Sequence, residues 1–219
     1  MGATVQSLLA EVDRAAIDRF LSAVDSVMNS NTLLLKVEAD QPLTVGNRQG
    51  VLEAYLRSDL FEQMMLEADR QREWYNLSGF IAEPGESGDA APGGGPVRLL
   101  REGFQAAVTP LGEGEFAQRL HWMLSRAPSP YSRRLPTAEA DQVVQDFLRE
   151  VLAPAGRDGG PAEWGWAFAS VEPDFLRSSE YYTQEPPLRP VYFDGSESDT
   201  ATLFHRGPVF CLLLTNGSP

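Results

Sequence analysis

Trp164-Gly165-Trp166-Ala167-Phe168-Ala169 alternates large rings with small side chains, the period-two signature of a strand with one bulky face and one nearly bare face. Before Pro154 the apolar residues repeat at three and four positions instead, and after Glu163 that helical rhythm is lost. Helices first and strands afterwards predict an α+β fold. Amphipathic helices of the N-terminal two-thirds should cover one face of a C-terminal, mostly antiparallel sheet of about four strands.

Downstream, residues 190–194, 200–205 and 209–215 read as further strands, the last two joined across Arg206-Gly207-Pro208. Val209-Phe210-Cys211-Leu212-Leu213-Leu214 lacks any polar alternation, so it should be a central strand buried on both sides. Upstream, Val5, Leu8, Leu9, Val12, Ile17, Phe20, Leu21, Val24 and Met28 make one stripe, which predicts a single long helix over 4–28 ended by Asn29-Ser30-Asn31. Residues 33–37 read as a short strand. A second helical pattern runs over 47–75, with a candidate break at Ser58-Asp59, both good capping types. Further helices are expected over 97–108, 115–124 and 137–152, the last capped by Thr137 and stopped by Pro154.

Glu83-Pro84-Gly85-Glu86-Ser87-Gly88-Asp89-Ala90-Ala91-Pro92-Gly93-Gly94-Gly95-Pro96 has no large apolar residue to anchor it and reads as a flexible linker or loop. It would divide a helical region, 1–82, from helices and sheet over 97–219. The alternative is one domain carrying a mobile insertion.

A chain of 219 residues with 42% apolar content can bury roughly 70% of its unfolded surface without staples. Its single cysteine, Cys211, excludes an internal disulfide, and its start lacks the basic and apolar regions of a signal peptide. A reducing, cytoplasmic location is therefore expected. No apolar run approaches the roughly 20 residues that span a bilayer. Lys36 is the only lysine among 18 basic residues, the codon bias of a GC-rich, bacterial genome. The net charge of −13 repels phosphate backbones and favours encounter with basic proteins. The expected partner is thus another protein, with no nucleic acid and no membrane. The oligomeric state is left open.

The chemical motifs mostly fail on inspection. A Cys211–His205 nucleophile pair would need both side chains on one sheet face, and a two-residue turn after either Arg206 or His205 puts them on opposite faces. One Cys and two distant His residues, His121 and His205, do not make a zinc site. Asp194-Gly195-Ser196-Glu197-Ser198-Asp199 clusters oxygen ligands but lacks the EF-hand spacing. Gly93-Gly94-Gly95 is followed by no Lys-Ser/Thr pair. No catalytic residue, metal or cofactor is assigned, and His121 has no neighbouring ligand in the sequence.

Two readings remain. The first is an acidic protein-binding module, an adaptor, inhibitor or immunity-type protein, using Tyr181, Tyr182, Glu180, Trp164 and Trp166, because aromatics anchor interfaces and rim charges steer them. The alternative is an enzyme or small-ligand binder, such as a hydrolase, with Glu163, Glu172 or Asp174 as acid or base beside stacking aromatics.

Overall fold

The computed structural model of the chain describes residues 4–72, 100, 103–127, 134–153, 164–176, 192–193 and 197–217. Among them are six helices: α1 (Val5–Ala10), α2 (Ala15–Met28), α3 (Arg48–Leu56), α4 (Asp59–Arg72), α5 (Glu113–Ser125) and α6 (Thr137–Val151). Five strands, β1 (Ser30–Glu38), β2 (Val108–Leu111), β3 (Ala167–Val171), β4 (Thr200–Arg206) and β5 (Val209–Gly217), form one antiparallel sheet. Their order is β1-β5-β4-β3-β2, so a strand from the first forty residues pairs along its length with the last strand. The class is α+β as expected, with five strands rather than about four.

Both faces of the sheet carry helices, where the sequence suggested one. On β5, Phe210, Leu212 and Leu214 enter a core shared with α1, α3 and α4. Cys211 and Leu213, between them, enter a second core with α2, α5 and α6. A strand that is apolar at every position must be covered twice, and the helices divide accordingly. In the second core Phe20 of α2 stacks on Phe147 of α6 at 4.2 Å, and Phe116 of α5 stacks on Phe168 of β3 at 4.5 Å.

Two of the expected helices are corrected by this layering. The apolar stripe of 4–28 is broken into α1 and α2 because Leu8 belongs to one core and Ile17, Phe20 and Val24 to the other. The connection at 11–14 therefore passes from one face of the sheet to the other, and Glu11 meets Lys36 of the edge strand β1 at 3.1 Å. The second correction concerns 97–108. Of its described residues, Phe104 and Ala106 are buried while Gln105 and Ala107 are exposed, the period of an extended chain, which enters β2 at Val108. Gly103, at φ 71°, precedes this stretch in a left-handed conformation that favours glycine.

Other elements fall where the pattern put them. Asn29 ends α2 in a left-handed conformation, φ 49°, as its short polar side chain allows. Ser58 separates α3 from α4, its hydroxyl accepting from the Phe61 N–H at 3.2 Å. Thr137 is the first residue of α6 rather than its cap, which is Pro136. His121, far from lacking a neighbour, lies 3.4 Å from Asp141 and links α5 to α6. Only Tyr192 and Phe193 of the expected strand 190–194 lie within the described residues, as does none of 83–96.

Phe147→Ala should lower the unfolding free energy by roughly 3–5 kcal/mol, the usual cost of deleting a buried ring, read as a lower urea midpoint at unchanged slope. Gly207 should be as sensitive. It sits at φ 57°, and an added Cβ would lie 2.0 Å from the Trp164 ring. Gly207→Ala should therefore cost about 2–4 kcal/mol through backbone strain and overpacking together, with a shifted tryptophan emission as the Trp164 ring is displaced.

Candidate functional site

The β4–β5 hairpin decides the fate of the Cys-His pair. Its turn is Gly207-Pro208, with Arg206 opposite Val209. Alternation then sets Cys211 beside Phe204 and His205 beside Phe210, on opposite faces. Burial pushes the Cys211 thiol up to about 12, so no thiolate forms near neutrality. His205 is 4% exposed and its Nε2 has no hydrogen-bond partner. Burial, with Arg48 adding a repulsive charge, brings it down from 6.5 to about 4.

Of the residues expected to bind a partner, only Trp164 and Trp166 lie within the described residues. Trp164 is half-buried against Gly207, and its carbonyl accepts from Arg206 Nε at 2.9 Å. Trp166 donates to the Leu152 carbonyl at 3.2 Å and packs on Phe204. Tyr181, Tyr182, Glu180 and Glu163 lie outside the described residues. Glu172 is exposed at the end of β3, its N–H bonded to the Ala107 carbonyl at 3.0 Å, and Asp174 is half-buried two residues on.

Glu172 borders an unusual corner of the sheet. On the α2–α5–α6 face, register places Thr32, Thr215 and Thr200 side by side on β1, β5 and β4, with Thr202 and Ser170 in the next row. Thr200, Thr202 and Thr215 are buried, and none of their hydroxyls has a hydrogen-bond partner. Arg119 of α5 is drawn electrostatically to Glu172, yet its buried Nε has no hydrogen-bond partner. A hydroxyl left without a partner costs about 1–3 kcal/mol, which gives such a corner an affinity for a polar guest.

A separate concavity lies on the other face of the sheet. A groove of about 630 Å³ opens between the end of β1 and α3, within the usual size of a binding cleft. Residues 37–41 form one wall, and Gly46, Asn47, Gly50, Val51 and Ala54 form the other. Val37, Tyr55 and Phe210, all buried, make its floor, with the two rings edge to face at 5.2 Å. The Tyr55 hydroxyl reaches Met64 Sδ at 3.4 Å, and burial holds its ionisation far above the usual tyrosine range. Two acidic residues of the β1 wall, Glu38 and Asp40, are exposed. Val45, beside the groove, is 72% exposed, the one exposed large hydrophobic residue among those described.

This groove escaped the sequence reading because Val51, Tyr55 and Phe210 look like ordinary core residues there. The available signal was Gly46, just before α3, and Gly50, within it, where no side chain fills the wall. Among the described residues no group of three or more His, Cys, Asp or Glu side chains is placed to hold a metal ion. No helix among them is long and apolar enough to cross a membrane. Comparison with protein-family models, curated proteins and solved structures found no match.

Two chemical predictions follow from the hairpin. Cys211 should resist a thiol reagent in native protein at mildly alkaline pH and react at once in urea; fast native labelling would show that the strand opens. For His205 the folded value lies below the unfolded one, so the native state prefers the neutral ring. Its contribution is complete above pH 6.5 and is lost as pH falls toward about 4, amounting to about 3 kcal/mol. Urea titrations across that window should show the loss in wild type and a shallower slope in His205→Leu.

Proposed function

We propose that this protein acts by binding another protein, as an adaptor, inhibitor or immunity-type module, and that the partner is basic. The observation that carries the reading is the groove between β1 and α3. It joins an apolar floor to Glu38 and Asp40, exposed acids with no ion pair among the described residues, on a chain of net charge −13. An apolar centre with a charged rim is the anatomy of an interface, and a strong field of one sign accelerates encounter with the opposite sign.

A tagged full-length chain, used to capture proteins from lysate of the native organism, tests the reading. The expected result is one stoichiometric partner of high isoelectric point, retained at low salt and released as salt rises. An empty capture at both salts would reject it.

The second reading, a small-ligand binder or enzyme, is favoured by the polar corner around Glu172, Arg119 and the unpartnered threonine hydroxyls. It predicts that a metabolite or hydrolase screen yields a hit abolished by Glu172→Gln, with the fold intact.

A further inference from the structure

Antiparallel pairing fixes which backbone groups of β1 face outward. The Ala39 N–H donates to the Pro208 carbonyl at 2.9 Å, continuing the register in which Val37 pairs with Phe210. Odd residues there point their N–H and C=O toward β5, and Glu38, between them, points its own away. No described strand lies beyond β1. The connection at 11–14 crosses this edge, with Glu11 held by Lys36, so the edge is left open beside the groove, at Glu38.

β1 ends at Glu38 and the chain bends at Asp40 and Gln41, and the groove's volume of about 630 Å³ suits a few residues of extended chain. Resting on the protein-binding reading, we propose that the groove receives a short extended segment of the partner, added as a strand beside Glu38. It carries a large apolar side chain over Val37, Tyr55 and Phe210, and lysine or arginine on its alternate positions. Main-chain hydrogen bonds to an open edge supply affinity, and alternate side chains supply selectivity. Glu38 and Asp40 fix the sign: both are exposed, and among the described residues neither carboxylate forms an ion pair or accepts a hydrogen bond, so a cationic segment is attracted to them while an acidic one is repelled.

Gly50 makes the proposal testable without disturbing the core. It is exposed on the groove wall, and a Cβ added there meets nothing within 4 Å. Gly50→Ala and Gly50→Arg should both fold, since replacing a glycine inside a helix favours the helix. The probe is the acetylated, amidated peptide Lys-Val-Lys-Phe-Lys-Val, with Glu-Val-Glu-Phe-Glu-Val as its control, added to isotope-labelled full-length chain. The basic peptide should shift the amide signals of Glu38, Ala39, Gly50 and Val51. Gly50→Ala should bind it within about twofold of wild type, and Gly50→Arg should bind at least about tenfold more weakly, because it sets a like charge against the cationic segment and narrows the site. Equal shifts from both peptides, shifts confined to other surfaces, or undiminished binding by folded Gly50→Arg would each overturn the groove assignment. If the lysate partner still binds folded Gly50→Arg at full strength, protein binding stands and its surface lies elsewhere. If the capture is empty, the broader reading falls.

Discussion

Burial of β5 on both faces is the constraint from which the rest of the architecture follows. Its neighbours are β1 and β4, and its side chains feed two separate cores. Neither core alone can cover the strand, since successive side chains point to opposite sides. The helices must then form two layers, and the chain must travel between them. It first does so at 11–14, around the edge of β1, where the Glu11–Lys36 pair lies at 3.1 Å. The pair is partly exposed and adds little stability by itself. What holds the crossing in place is the apolar packing at either end, Leu8 in one core and Ile17 in the other.

The hairpin tip is the second place where the two-sided requirement becomes demanding. The short Gly207-Pro208 turn brings Trp164 so close that no side chain larger than hydrogen fits at Gly207. The turn also anchors the chain leaving β1: the Ala39 and Leu43 N–H groups donate to the Pro208 and Gly207 carbonyls at 2.9 and 2.8 Å. These bonds carry residues 39–43 over the sheet end toward α3. The position of α3, and so the existence of the groove, depends on a turn far away in sequence. A change at Gly207 should therefore be felt in the groove as well as in stability, through this shared backbone rather than any side-chain contact.

What was legible in the sequence is what local pattern can encode. Alternation at 164–169 located β3 in part: the strand is Ala167–Val171, with Trp164 and Trp166 ahead of it, and within it Phe168 meets Phe116 while Ala169 turns to the opposite core. The unbroken apolar run at 209–214 gave a doubly buried strand. Pattern failed where two explanations share one spacing. The stripe of 4–28 is continuous in period, yet its first turn and its later turns face different partners, and only the sheet between them makes the break necessary. Phe104 and Ala106 are spaced two apart, which a helical window absorbs without notice. The candidate site was less legible still, because a groove is a property of what two distant segments fail to fill. Val51 and Tyr55 carry no mark in the sequence that separates a wall from a core.

The groove and the polar corner lie on opposite faces of the sheet, and their chemistry differs in kind. The groove is apolar with acids at its lip, open to solvent, and set beside a strand edge with no further strand among the described residues. The corner is buried, with threonine hydroxyls and a guanidinium nitrogen lacking partners. A protein partner can reach the first without moving anything, and only a small molecule or ordered water could reach the second. The net charge weighs on the same side. A field from thirteen excess negative charges acts over a Debye length of roughly 8–10 Å outside the surface, so it guides what approaches an open groove and does little for a group already enclosed. Site geometry and long-range electrostatics therefore agree at the groove, and that agreement makes it the stronger of the two candidate surfaces.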